Sequence, residues 1–310
     1  MRSAITTLAA CVLLSTGISG QADLFNRVKH DFAVSNGVKI HYATIGTGPL
    51  VVMIHGFPDF WYTWRHQMEA LAGSFQVVAI DQRGYNLSDR PKGVENYDVR
   101  LLVEDVAAVI RHAGRESATI VGHDWGGFVA WHFAITKPEM TDRLIVLNLP
   151  HPSGLIRELK SNPDQIANSE YARVFQRGTP QDPKIFFGLP MTPQTLSGWV
   201  TDASAKQRYV DAFARSDFDA MLNYYKANYP RESGPAAPDP PLLPKVKAPV
   251  LVFHGLGDRF LNRNGLSGAW DFVEKDLTIV TVPGAGHFVQ QDAAEFVSST
   301  LKAWLTMRSR

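Results

Sequence analysis

The chain has 310 residues, is 45% hydrophobic and 20% charged, and carries a formal net charge of +1 from 31 basic and 30 acidic side chains. That composition suits one large globular domain, or a domain with an insertion. No basic run is present, which argues against nucleic acid or an anionic membrane surface as a partner, and aromatics at 11%, with seven Trp, suit a pocket for an apolar small molecule.

The first 22 residues differ from the rest. Arg2 gives a short positive start, residues 4–14 are mostly apolar but broken by Thr6 and Thr7, and the small residues Gly20 and Ala22 precede Asp23. This reads as a secretory signal peptide, preferred over a membrane anchor or a first helix of the fold. The mature protein is then expected in the periplasm or outside the cell, without a stable membrane span. Residues 8–11, Leu-Ala-Ala-Cys, resemble a lipoprotein cleavage box but lie very early, so simple export is preferred. Cys11 is the only cysteine. A mature chain therefore has no disulfide, thiolate metal site or Cys nucleophile.

Residues 38–43, around His41, read as an antiparallel strand. Short apolar runs then recur at 51–54, 77–80, 119–121, 144–147, 250–253 and 277–282. Near-continuous Val, Ile and Leu is the pattern of strands buried on both faces. Helical stretches lie between them, as at 96–113 and 128–137. This alternation predicts an α/β fold with a mostly parallel sheet flanked by helices. It stops between about residues 150 and 249, where Tyr, Phe and Gln recur at helical spacing. A helical insertion is expected there, returned to the core by the proline-dense stretch 234–241. The expected division is signal peptide 1–22, core 23–149 and 246–310, and cap 150–245.

Gly122-His123-Asp124-Trp125-Gly126-Gly127 follows a strand and precedes a helix expected to start near Phe128. This is the form of a nucleophile elbow, with glycines that let strand and helix approach closely. Asp124 stands where serine is usual, and that sets the chemistry. An ordinary aspartate is ionised about a thousand to one at neutral pH, so it needs no base to attack. Attack on saturated carbon leaves an ester that water must cleave. Attack on an ester substrate would give an anhydride, which argues against an esterase. The plainer alternative is an Asp that only caps the next helix.

His55-Gly56-Phe57-Pro58 follows the run at 51–54. The loop at this place and the residue after the nucleophile supply the oxyanion hole of such an elbow. The expected donors are the amides of Phe57 and Trp125, each worth about 3–4 kcal/mol to an anionic transition state. His287, in Gly284-Ala285-Gly286-His287-Phe288, follows the last apolar run and is the expected base. Asp258, just after the run at 250–253, is the acid that would orient it, and the order nucleophile, acid, His is kept. Asn148 carries no charge and cannot take that role, and Asp292 reads as a helix-starting residue. His151, where the cap begins, and Trp61 are candidate pocket residues, with packing as their plainer reading. His55 and His123 are expected to brace loops.

With these residues assembled, residues 30–305 resemble an α/β-hydrolase of the epoxide hydrolase group. The elbow, the His55-Gly56-Phe57-Pro58 turn and the run from Asp81 to Pro91 carry the resemblance. It implies the α/β-hydrolase fold with a helical cap inserted after the sixth strand, and a cis Phe57–Pro58 bond. Asn86 stands where Gly is common, and Asn tolerates left-handed backbone. In that group two cap tyrosines hydrogen-bond the epoxide oxygen. Segments 171–176 and 223–226 are similar to theirs, which places the roles on Tyr171 and Tyr225. A phenol can protonate a forming alkoxide. Tyr224 points about 100° away on a helix, so only one of the adjacent pair faces the pocket.

The resemblance implies ring opening of an apolar epoxide by Asp124, then hydrolysis of the ester by water activated at His287, giving a vicinal diol. It implies no metal and no organic cofactor, and a monomer or homodimer is expected. Haloalkane and haloacid dehalogenases are the nearest alternative, since they share the Asp nucleophile. Phe57, however, stands where haloalkane enzymes place a polar halide-binding group. Trp125 and Phe128 stand where fluoroacetate dehalogenases place arginines. A ligand- or partner-binding protein without catalysis would generally lack one triad member, and all three are present.

Overall fold

The structure, a computed structural model, describes residues 23–239 and 243–307. The expected signal peptide and its lipoprotein-like box lie outside the described residues. Eight strands form one sheet: β1 (Lys29–Ser35), β2 (Val38–Ile45), β3 (Leu50–Ile54), β4 (Gln76–Ile80), β5 (Ala118–His123), β6 (Thr141–Leu147), β7 (Val250–Gly255) and β8 (Leu277–Val282). Their spatial order is β1-β2-β4-β3-β5-β6-β7-β8. The β1–β2 and β2–β4 pairs are antiparallel, and every later pair is parallel.

The central strands follow from their composition. All five residues of β3 and all six of β5 are buried, as strands covered by helices on both faces must be. Each fully buried Val, Leu or Ile contributes about 1.5–3 kcal/mol. The edges are different. β1 is a strand that the apolar runs did not announce; its first four residues are exposed, so polar side chains interrupt the pattern. β8 was expected to be buried on both faces and is instead a half-buried edge.

The core helices are α1 (Arg65–Leu71), α2 (Val99–His112) and α3 (Trp125–Thr136). Asp98 caps α2, its side chain accepting from the Arg100 amide. Helix α3 is buried along most of its length and is apolar on every side, the mark of a helix packed inside the fold. It starts three residues before the expected Phe128.

The cap follows β6, the sixth strand, and holds α4 (Pro152–Ser161), α5 (Pro163–Asn168), α6 (Glu170–Arg177), α7 (Pro193–Leu196), α8 (Ala203–Arg215) and α9 (Phe218–Asn228). The chain then returns to β7 and β8 and ends in α10 (Val289–Asp292) and α11 (Ala294–Met307). Tyr224 ties the cap to the core: its hydroxyl donates to the Arg83 carbonyl at 2.9 Å. Arg83 is itself fixed by a buried bidentate pair with Asp105, at 2.7 and 2.6 Å. Ile54 pairs with Gly122, Gly122 with Val146 and Val146 with Val252. The carboxyl ends of the central strands are therefore level, and the loops beyond them meet beneath the cap, where open α/β sheets bind ligands.

Candidate active site

β5 ends at His123, and Asp124 turns the chain at φ 51°, ψ −120°. A non-glycine residue in this region is strained by about 1–3 kcal/mol. Two glycines make the turn possible. A Cβ on Gly122 would overlap the Gly126 carbonyl, and one on Gly126 would overlap the Ile54 carbonyl. Asp124 precedes α3, yet its side chain makes no capping bond to the helix. The helix-capping alternative therefore fails, and the carboxylate is left free to face the cap.

Its two oxygens have different partners. The Phe57 amide donates to Asp124 Oδ1 at 2.8 Å, and Asp124 Oδ2 lies 3.5 Å from His287 Nε2. His287 Nδ1 is 2.9 Å from Asp258 Oδ2. That contact places a proton on Nδ1 and turns Nε2 toward Asp124. Asp258 is held in turn by the Phe260 amide at 2.8 Å and by Asn148 Nδ2 at 2.7 Å. The turn carrying Phe57 has a cis Phe57–Pro58 bond, and Asn86 sits at φ 44°, both as expected.

Tyr171 on α6 and Tyr225 on α9 face each other edge-on with ring centroids 5.9 Å apart. With Asp124 they line two cavities. One, of about 190 Å³, runs past Phe128, Leu149 and Ile156. The other, of about 300 Å³, runs past Phe57, Phe187, Trp199 and Phe260 and includes His287. Asp124 and both phenols thus sit where two apolar arms meet.

The sequence matches the α/β-hydrolase fold family over residues 49–294. It is 34% identical to epoxide hydrolase 1 of Caenorhabditis elegans, over 86% of this chain and 68% of that one. It is also 34% identical to the AB hydrolase superfamily protein YfhM of Bacillus subtilis, over 90% of this chain and 98% of that one. The crystal structure of a Bacillus megaterium epoxide hydrolase in complex with an inhibitor superposes with a TM-score of 0.78, at 32% identity, covering 89% of this chain and 100% of that one. The chain belongs to the epoxide hydrolase group of the α/β-hydrolase family.

The electrostatics of this α/β-hydrolase site follow from burial and from three facing charges. Burial alone would raise the Asp124 carboxyl, but the hydrogen bond and charge of His287 outweigh it and hold the carboxyl below its usual range. Burial opposes charge on His287 as well. Asp258 and Asp124 overcome that and push its pKa up to about 10. Asp258 is held low, burial being outweighed by the charge and hydrogen bond of His287 and by Asn148. Both carboxylates thus favour a protonated His287 between them. Burial raises Tyr171 and Tyr225 well above the ordinary phenol range, so both remain proton donors.

The bracing histidines are neutral. Burial lowers His55 and His123 to about 4. His55 Nδ1 meets the Gly56 carbonyl at 2.7 Å, and His123 Nε2 meets the His287 carbonyl at 2.8 Å.

Two expected pocket residues are not in the site. His151 caps α4, its Nδ1 accepting from the Ser153 amide at 3.2 Å, and its ring stacks on Phe272 at 4.1 Å. Trp61 is buried against Phe25 at 5.4 Å, and its amide donates to Asp81 Oδ1 at 3.0 Å. Both lie in packed interior and line neither cavity. Asp292 ends α10 rather than starting a helix, and it accepts from the Gly286 amide at 2.8 Å. Asn148 is a positioning residue that sequence reasoning set aside as an acid without asking what it holds. Its place directly after the apolar run at 144–147, level with the other catalytic loops, was the available signal.

Proposed function

We propose that this protein opens an apolar epoxide to a vicinal diol through a covalent ester on Asp124. The observation that carries the reading is the convergence of a carboxylate nucleophile, a His–Asp pair and two buried phenols at one junction of apolar cavities. Asp124 Oδ2 attacks a ring carbon from behind. The carbon–oxygen bond breaks, and its electron pair goes to the epoxide oxygen. That oxygen takes a proton from Tyr171 or Tyr225, and the proton carried by His287 in the resting site restores the phenol.

Hydrolysis then has what it requires. Neutral His287 takes a proton from water as the water attacks Asp124 Cγ. Charge develops on Oδ1, which the Phe57 amide already contacts. The Trp125 amide also favours charge on the Asp124 carboxylate. Collapse expels the former Oδ2 with the diol and returns Asp124 as a carboxylate opposite an imidazolium. Two apolar arms diverging from the nucleophile suit an epoxide with a substituent on each side. The reading also places the mature protein outside the cytoplasm, after removal of residues 1–22. A cytosolic protein that keeps those residues would overturn that part.

The test is the intact mass of His287→Gln after exposure to apolar epoxides and to haloalkanes. Addition of a full epoxide mass, lost when Asp124 is also changed to Ala, is the expected result. Addition of only the alkyl part of a haloalkane, with no epoxide adduct, would move the assignment to dehalogenation. A wild type inert on both panels would overturn catalysis of either kind.

A further inference from the structure

Trp199 comes from the cap, just after α7, and touches both loops that serve the second half of the proposed reaction. Its indole Nε1 donates to the Pro58 carbonyl at 3.2 Å. Pro58 follows Phe57, whose amide holds Asp124 Oδ1. The same indole lies flat on Phe288, with centroids 3.5 Å apart and planes 2° apart. Phe288 follows His287. The remaining edge of Trp199 packs on Tyr209 of α8 at 5.3 Å. One cap side chain therefore spans the gap between the oxyanion turn and the base.

The surroundings continue that bridge. Tyr209 accepts from Gln291 Nε2 at 2.9 Å, on the helix that follows His287. Arg65, from the core, donates to Gln291 Oε1 at 3.1 Å and to Asp202 Oδ2 of the cap at 3.0 Å. These contacts attach the same stretch of the cap to the same two core loops.

We infer that Trp199 is a positioning residue for ester hydrolysis, holding the Phe57 amide and the His287 imidazole in register with each other. The inference rests on the two-step reading above. Ring opening needs Asp124 Oδ2 and the two phenols. Trp199 lines one cavity together with them, but its hydrogen bond and ring contacts go to Pro58, Phe288 and Tyr209. Hydrolysis needs water, His287 and the Oδ1 donors at once, and a displacement of about 1 Å in such a set slows reaction about a hundredfold. Loss of the indole therefore acts most strongly after the ester has formed, when both loops must be in place at once, and less on ring opening, where Phe57 only orients Asp124.

This ordering gives a kinetic signature. kcat/KM reports the steps through ring opening, whereas kcat includes hydrolysis. Trp199→Phe keeps a ring on Phe288 and loses the bond to Pro58. Trp199→Leu loses both. The expected result is a fall in kcat, about tenfold or more for Leu and smaller for Phe, with KM falling alongside so that kcat/KM falls much less than kcat; a rise in KM with kcat unchanged would mean that Trp199 is only a cavity wall and would overturn the inference. Enzyme carrying the ester mass should accumulate during turnover in proportion. A merely structural role would lower kcat and kcat/KM equally through loss of active protein, with no ester accumulating, and that result would overturn the inference. Trp199→Phe keeps the test open if the Leu variant does not fold. A wild type that forms no ester and turns over no epoxide would overturn the two-step reading and this inference with it. Normal wild-type turnover with equal losses in the variants would overturn the inference alone.

Discussion

The Phe57 amide and the Asp124 carboxylate are joined at 2.8 Å through Oδ1, and this one bond distinguishes the two oxygens of the nucleophile. Oδ1 is already in the place where negative charge develops during hydrolysis. In the proposed reaction Oδ2, facing His287, is the oxygen that attacks.

That distinction predicts where solvent oxygen goes. In a single turnover in heavy-oxygen water, with enzyme in excess, the diol should carry no label from water. Its new oxygen is the former Oδ2, and the label should enter Asp124, where mass spectrometry of the peptide containing it would read it. Later turnovers should then release labelled diol. Label in the diol on the first turnover would mean that water attacks the epoxide directly.

In the proposed reaction Tyr171 and Tyr225 act on a different step. Burial keeps both protonated far above neutral pH, so each can donate to the opening oxygen. Tyr171→Phe and Tyr225→Phe should each lower kcat/KM by about a hundredfold, the usual scale for one general acid or oxyanion donor. The double variant should fall further, because no donor remains. Stopped-flow observation of ester formation would check this. A double variant no slower than either single variant would remove the paired role.

The two steps should also differ in pH dependence. Ring opening needs ionised Asp124, whose pKa is lowered, and protonated tyrosines, whose pKa values are raised. kcat/KM should therefore be flat from about pH 5 to 9. Hydrolysis needs neutral His287. Ester formation removes the Asp124 charge that helps raise its pKa to about 10, so the imidazole gives its proton to the phenolate and stays neutral unless solvent re-protonates it at low pH. Single-turnover ester decay should rise with pH until that proton is gone. The same shift has a stability sign. A folded pKa above the unfolded value of 6.5 stabilises fully below 6.5, and the contribution is lost as pH rises through about 10. Urea unfolding across that window should show the loss in the wild type and not in His287→Gln.

Local sequence made the elbow and the His287–Asp258 pair legible. Glycines must flank a turn this tight, and each catalytic side chain follows an apolar run that ends on the same edge of the sheet. Tyr171 and Tyr225 were legible only through resemblance, because nothing in α6 or α9 alone says that they overhang Asp124. Trp199 was not legible at all. It meets Pro58 across 141 positions in the chain, and no local pattern encodes such a contact. His151 and Trp61 were misplaced for a related reason: an aromatic near a catalytic loop serves a core or a cavity wall with the same residue type. β1 escaped because an edge strand need not be apolar.

The tightest packing in the elbow gives the sharpest stability prediction. A Cβ at Gly126 would overlap the Ile54 carbonyl and lie 2.5 Å from that of His55. Both are backbone, so neither can swing aside. Gly126→Ala must therefore push α3 away from β3, and overpacking of this kind costs about 1–3 kcal/mol. The movement separates the two elements that carry Asp124 and Phe57, so ester formation and hydrolysis should both slow. Gly73→Ala is the control: nothing lies within 4 Å of a Cβ there, and the change should stay within about 0.5 kcal/mol. Urea unfolding of the two variants, with ester formation measured alongside, separates them. Equal stability and equal turnover would mean that strand and helix have more room at Gly126 than the backbone distances allow.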